Sequence, residues 1–251
     1  INLGGIDLSE AANWISVINT LPLLEVLRLD YCNLPLKVPS SLSYINTSTT
    51  LRVISLKSGS SGYNSANDTS ILHWICNISR TATSLAYLDL YGNSFQGTIP
   101  LFIGKMKSLS HLDLGENDFS GQIPSEIWTI DSLSYLSLSY NRLQGTINST
   151  ISNLKYLTLL DLSYNKFQIS GHFMKSLGKL CRLGTLRLDK NNITSELSEV
   201  VDSLSPCAYK SLSFLTLSNT QLNGTIGEWI GRLSRLEVLD LSSNFLNGVI
   251  S

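Results

Sequence analysis

The sequence predicts a repeat solenoid of the α/β type, with a parallel β-sheet along one face and short 3₁₀ turns along the other. Three observations carry that prediction. A phrase of the form L-x-x-L-x-L-x-x-N-x-L/F-x-G-x-I returns down the chain. Its clearest copies keep a fixed period, and between copies apolar residues fall at every third position.

The clearest copies start at Leu85 (LAYLDLYGNSFQGTIP), Leu109, Leu133 and Leu157, evenly spaced along the chain. Weaker copies start at Leu24, Leu51, Leu183 and Leu212, and a good one opens at Leu236. The spacing stretches slightly before Leu183 and further before Leu212, then returns to its regular value at Leu236. In L-x-L, as at Leu88 and Leu90 or Leu112 and Leu114, alternation puts both leucines on one face of a short strand. Stacked copies then make a parallel sheet over a common leucine core. The Asn at 93, 117, 141, 165, 191 and 244 stands just past each strand, where the chain turns inward. Its amide suits the backbone groups of that buried turn and of the neighbouring one. On the outer wall, Ile103, Met106 and Leu109 have counterparts in Ile127, Ile130 and Leu133; Ile151, Leu154 and Leu157; Leu177, Leu180 and Leu183; and Ile230, Leu233 and Leu236. A period of three suits a 3₁₀ turn better than an α-helix.

With Gly97-x-Ile99-Pro100 and Gly121-x-Ile123-Pro124, the chain resembles the plant-specific leucine-rich repeat. That resemblance implies a leucine-rich repeat solenoid: a concave parallel sheet, a convex wall of short helical turns, and a second strand at L-x-G-x-I-P that twists the array. Gly145–Ile147, Gly224–Ile226 and Gly248–Ile250 keep the motif without its proline. The resemblance covers essentially all of 1–251, read as one continuous array of about ten repeats, spanning roughly 45–50 Å at about 4.8 Å per stacked strand. The array is expected to be truncated at both ends. Ile1, Leu3, Ile6 and Leu8 read as the second half of a repeat, and the last phrase stops at Ile250–Ser251. Two irregularities interrupt it, a Gly/Ser/Asn-rich loop over about 57–71 and a longer repeat over about 183–211. The loop reads either as a tolerated insertion or as a ligand contact.

Composition narrows the function. Hydrophobic residues at 43% exclude a disordered chain. With 18 basic and 19 acidic residues there is no cationic excess to hold a nucleic acid. No apolar run reaches the roughly 18 residues of a membrane helix, and no signal-peptide pattern opens the chain. Four cysteines without a CxxC pair point neither to zinc nor to thiol redox chemistry. His73, His111 and His172 sit on different repeats with no ligand at metal spacing, and no G-x-S-x-G turn is present. Asp89, Asp113, Asp161 and Asp240 form a column that reads as exposed strand positions rather than as paired carboxylates. No enzymatic activity, cofactor, metal or nucleic-acid partner is expected.

A finer resemblance lies in the stretch from Gly4 to Pro35, in HWICNIS (His73–Ser79), and in CRLGTLRLDKNNI from Cys181. These are similar to plant receptor-like proteins, the class of the ethylene-inducing-xylanase receptors. The resemblance implies an ectodomain on the extracellular face of the plasma membrane, in a type I glycoprotein whose signal peptide and membrane helix lie outside this chain. It implies a protein, peptide or glycan ligand and signalling through a co-receptor kinase, in defence or development. Two alternatives stay open: a secreted apoplastic protein resembling the polygalacturonase inhibitors, and the ectodomain of a leucine-rich repeat receptor kinase.

The concave face is the expected ligand surface. Just before the second leucine it carries Tyr87, His111 and Tyr135 on consecutive repeats, followed by Leu159, Thr185 and Phe214; just before the Asn stand Tyr140 and Tyr164. Aromatic rows on a rigid sheet supply contact area at low entropic cost. The competing reading is that tyrosines stack between repeats only to stabilise the array. If the row is the anchor, replacing Tyr87 and Tyr135 by Ala is expected to weaken binding by at least about 2 kcal/mol at little cost in stability. N-x-S/T sequons mark Asn46, Asn67, Asn77, Asn148, Asn192 and Asn223 for glycosylation. Cys32 takes the Asn position of its repeat and is expected to be a buried thiol. Cys181 and Cys207 each fall shortly before a strand in consecutive repeats, so stacking is expected to bring them within disulfide reach; two separate thiols are the alternative.

Overall fold

The structure, a computed structural model, describes residues 1–35, 50–59, 70–81 and 84–248. Asn46, Asn67 and most of the predicted loop lie outside them. Strands at Val26–Arg28, Val53–Ser55, Tyr87–Asp89, His111–Asp113, Tyr135–Ser137, Leu159–Asp161, Thr185–Arg187, Phe214–Thr216 and Val238–Asp240 form one nine-stranded sheet in chain order. A parallel bridge between Asn2 and Arg28 starts a further rung. The rungs are in register through the middle leucine: Leu88 pairs with Leu112, Leu112 with Leu136 and Leu136 with Leu160. Each of these leucines is fully buried. A one-residue slip would turn the whole ladder out of the core, and this fixes the register.

The Asn ladder closes the turn after each strand. Asn117 Nδ2 donates to Leu114 O and Gly115 O of its own repeat and to Leu90 O of the preceding one, at 3.1, 2.9 and 2.9 Å. Its Oδ1 accepts from Phe95 N at 3.1 Å. Asn141, Asn165 and Asn191 repeat both halves of the pattern. Each such Asn holds backbone groups that would cost about 1–3 kcal/mol if buried unpaired. Cys32 substitutes for the donor half: its buried thiol reaches Leu3 O at 3.1 Å and Asp30 O at 3.3 Å. The residue before the Asn adopts the left-handed conformation, with φ of 52° at Glu116, 51° at Tyr140, 55° at Tyr164 and 51° at Lys190. These turns swing side chains from the strand end out over the concave surface.

The second strand expected after each Asn is present. Gln96–Thr98, Asp118–Gly121, Arg142–Thr146, Lys166–Ile169 and Asn192–Ile193 form a five-stranded sheet, and Asn223–Thr225 pairs separately with Phe245–Asn247. In this sheet Gln96 pairs with Asp118 and Ser120 with Arg142, whereas in the first Tyr87 pairs with His111. The chain step between partners is therefore shorter in the second sheet than in the first. The second sheet is staggered at every such rung relative to the first, which skews the two sheets against each other.

On the convex wall the shortest repeats carry 3₁₀ turns at Leu101–Lys105, Ser125–Thr129 and Ser149–Asn153, with another at Glu228–Arg232. The longer repeats depart from the period-three expectation. They carry α-helices: α1 (Trp14–Asn19), α2 (Ser70–Thr81), α3 (Gly171–Leu177), α4 (Leu197–Asp202) and α5 (Pro206–Ser211). Their extra residues allow a full i→i−4 turn where the regular repeat allows only the tighter 3₁₀ path. In α2 the buried Ile71, Trp74, Ile75 and Ile78 make one helical stripe. Trp74 meets Trp14 of α1 edge-on, with ring centroids 5.5 Å apart, and its indole donates to Asn19 Oδ1 at 3.2 Å. Among the described residues no helix is long and apolar enough to cross a membrane.

Candidate functional site on the concave face

Two aromatic ladders run side by side along the concave sheet. In the first, the rings of Tyr87, His111 and Tyr135 stack with centroids 4.0 Å apart at both steps and interplanar angles of 7° and 18°. The Arg28 guanidinium caps Tyr87, 5.0 Å from its centroid. In the second, Tyr140 and Tyr164 stack at 4.0 Å and 11°, and the Lys190 ammonium lies 5.2 Å over Tyr164. Both ladders arise because in-register parallel strands place equivalent side chains of successive repeats at stacking distance.

The carboxylate column beneath the first ladder is buried, contrary to the exposed positions expected for it. Asp89 has 0% of its surface exposed, Asp113 and Asp161 are also buried, and Asp240 is half-buried. Over Asp89 and Asp113 the tyrosine hydroxyls turn down onto the carboxylates. Asp89 Oδ2 accepts from Tyr87 OH at 3.1 Å and pairs with Lys57 Nζ at 2.8 Å, while Oδ1 accepts from Tyr91 N at 3.2 Å. Asp113 Oδ2 accepts from Tyr135 OH at 3.2 Å and Oδ1 from Gly115 N at 2.9 Å. His111 Nε2 is buried and lies 3.7 Å from Asp89 Oδ2, beyond hydrogen-bond reach.

The two carboxyls titrate in opposite senses. Burial pushes Asp89 up, but His111, the Lys57 ammonium and the Tyr91 N–H outweigh it and hold the group below its ordinary value. Burial also pushes Asp113 up, and the Asp89 charge adds to it; the donors at Gly115 and Tyr135 do not offset them, so Asp113 ends raised. Tyr135 is raised by burial and by the Asp113 charge and hydrogen bond. Tyr140 is pushed up to about 12, mainly by its hydrogen bond with Tyr164 and then by burial. Asp89, His111 and Asp113 offer ligand atoms within 4.8 Å of one another, a grouping that the spacing of these residues in the sequence did not reveal. The Lys57 ammonium already neutralises Asp89, and Asp113 is held by Tyr135 OH and Gly115 N.

The remaining sequence-selected residues are dispersed. Phe214 shares the concave face but is separated from Tyr135 by Leu159 and Thr185 on the intervening strands. Asn148 and Asn223 are exposed, whereas Asn77 in α2 and Asn192 in a second-sheet strand are half-buried. Cys181 and Cys207 are joined in a disulfide with Cα atoms 5.0 Å apart. Lys57 and Arg28 went unnoticed because they lie in degenerate repeats. Aligning Leu27 and Leu56 with Leu88 and Leu90 puts both cations in concave columns, and that was the available signal.

Comparison with known proteins agrees with this architecture. A leucine-rich repeat family model matches residues 83–143. No curated protein sequence matches the chain. Among solved structures, the PEPR1–AtPEP1 complex is 26% identical with a TM-score of 0.71 over 100% of this chain and 31% of that one. The Arabidopsis receptor kinase HAESA, in complex with the peptide hormone IDA and the co-receptor SERK1, is 31% identical with a TM-score of 0.70 over 92% of this chain and 35% of that one. A leucine-rich repeat protein of Leptospira interrogans is 27% identical with a TM-score of 0.70, over 92% of this chain and 52% of that one. The chain thus spans 31% and 35% of the two plant receptor chains. With its repeated phrase, Asn ladder and paired parallel sheets, it folds as a leucine-rich repeat solenoid similar to plant receptor ectodomains.

Proposed function

We propose that this array is a ligand-recognition segment of a plant cell-surface receptor and binds a peptide across its concave face. The observation that carries the reading is the exposed Tyr140–Tyr164 stack capped by Lys190, standing on a rigid sheet beside the half-buried Tyr87–His111–Tyr135 stack. Flat aromatic faces flanked by cations offer contact area with little entropy to lose, the usual chemistry of binding hot spots. The similar folds of HAESA, in complex with the peptide hormone IDA, and of PEPR1, in complex with AtPEP1, support it. The segment acts by recognition rather than catalysis. In this reading it is extracellular, anchored in the plasma membrane by a helix outside this chain, glycosylated first at the exposed Asn148 and Asn223, and coupled to a co-receptor kinase. The Cys181–Cys207 bridge forms in the same oxidising compartment; a non-reduced digest that contains both as free thiols would refute it.

The test is to pan the full ectodomain against a displayed random-peptide library. Enriched peptides are expected to lose at least about tenfold in affinity, near 1.4 kcal/mol, when Tyr140→Ala and Tyr164→Ala are combined. Unchanged affinity places recognition elsewhere.

A further inference from the structure

We infer a second binding site, for the carboxylate of an acidic saccharide, in a cationic cleft at the edge that leads into the concave strands. The cleft is an open depression with about 400 Å³ of space, lined by Thr158, Cys181, Arg182, Cys207, Lys210, Ser211 and Arg235. Each of four consecutive repeats contributes. Thr158 immediately precedes the strand Leu159–Asp161, Arg182 lies just before Thr185–Arg187, Lys210 and Ser211 end α5, and Arg235 leads into Val238–Asp240.

Its charge is one-sided. Three cations converge, and among the described residues no carboxylate lines the cleft. The ion pairs among the described residues use Lys57, His111, Arg142, Arg187 and Arg232, and none engages Arg182, Lys210 or Arg235. In a chain of net charge −1, three cations with no carboxylate among the lining residues make a local surplus. Gathering like charges without counter-charges is unfavourable by itself and raises the local concentration of anions.

The cleft is also pre-shaped. The disulfide joins its two cysteines across consecutive repeats, and Cys181 adjoins Arg182. The Arg182 guanidinium lies 4.8 Å over the ring of Tyr156, which is 53% exposed. A cation–π contact holds the guanidinium without using a hydrogen-bond acceptor, so its N–H fork stays available for the two-pronged grip that a planar carboxylate accepts. The Thr158 and Ser211 hydroxyls already donate to Ser134 O and Ala208 O, leaving their lone pairs as acceptors for sugar hydroxyls. A volume well above that of one small ion leaves room for part of the sugar ring carrying the charge. Hydroxyl acceptors interleaved with cations favour a uronate saccharide over an acidic peptide. The inference rests on the extracellular setting proposed above, but on different residues.

Calorimetry on the full ectodomain tests it, with a tri-uronide as probe. The controls are the same trisaccharide reduced to its neutral alcohol, inorganic sulfate, and a tri-glutamate peptide. The tri-uronide is expected to bind, to weaken as salt rises, and to lose about tenfold or more with Arg182→Ala plus Arg235→Ala. Arg182→Lys keeps the charge but not the fork and is expected to lose several-fold as well. Thermal melts of these exposed-site variants should match the parent. No tri-uronide binding, equal binding of the neutral trisaccharide, sulfate or tri-glutamate, or indifference to the arginine variants overturns the site. Loss of peptide binding in the Tyr140/Tyr164 variant with tri-uronide binding intact separates this site from the concave one.

Discussion

The two aromatic ladders look alike in sequence and differ in what lies beneath them. Tyr87, His111 and Tyr135 roof buried carboxylates, and both tyrosine hydroxyls are committed to Asp89 and Asp113. Tyr140 and Tyr164 are 48% and 37% exposed, and they stand on left-handed turns at the strand ends. The first ladder is a lid on internal charge; the second is available surface. Stacking between repeats therefore does not by itself mark a ligand contact, and the two readings left open for the tyrosines each fit one ladder.

The strongest way to break this comparison is to strip the lid. Tyr87→Ala with Tyr135→Ala removes two half-buried rings, leaves His111 without stacking partners on either side, and takes a donor from each carboxylate. A loss of about 3 kcal/mol or more in unfolding free energy is expected by urea denaturation. This replaces the expectation, drawn from the sequence, that the double variant costs little stability. A parent-like midpoint would show that the ladder is ornamental to the fold.

The next test separates the two carboxylates by sign. Asp89 is held below its ordinary value of 3.8, so its contribution to stability is present above that pH and is lost as the pH falls through its folded pKa. Asp89→Asn should therefore lower stability at pH 7 by about 2 kcal/mol, leaving Lys57 without its partner, and the difference from the parent should shrink in strong acid. Asp113 is raised above 3.8, so its favourable contribution is present below that pH and is lost as the pH rises through its folded pKa. Asp113→Asn keeps an acceptor for Gly115 N and removes a penalty; at pH 7 it should be neutral or slightly stabilising. Urea midpoints for both variants at neutral and acidic pH check the signs, and two equal losses at pH 7 would refute the asymmetry.

Legibility followed the range of the interactions. The strand leucines, the Asn ladder and the Gly-x-Ile strand were readable because each repeat restates them and their partners lie one period away. The 3₁₀ wall was readable in the regular repeats; the longer spacing adds α3 at Gly171–Leu177, ahead of Leu180 and Leu183, which keep the three-residue turns. Asp89 was misjudged because burial on a concave face is decided by neighbours across rungs. His111, one repeat further on, and Lys57, one degenerate repeat back, set its environment. The lateral cleft was missed for the same reason: Arg182, Lys210 and Arg235 share no local motif, and only the stacking of unequal repeats brings them together.

The second ladder is expected to matter little to stability, and it sharpens the comparison most. Tyr140→Ala with Tyr164→Ala removes exposed rings, and among the described residues the aromatic partner each loses is the other. Tyr140 and Tyr164 also hold φ of 51° and 55°, a conformation that Ala tolerates no better, so the backbone strain is unchanged. Lys190 loses a cation–π contact worth about 0.5–1 kcal/mol at an exposed site. The double variant should stay within about 1 kcal/mol of the parent in urea while losing peptide affinity. A Tyr140→Gly/Tyr164→Gly pair refines the point, because glycine relieves the left-handed turn while removing the same rings. If the glycine pair is as stable as the parent yet equally weak in binding, the rings serve recognition and the turn serves only to present them. If the glycine pair binds like the parent, the second ladder is spacing and the ligand surface lies off the tyrosines.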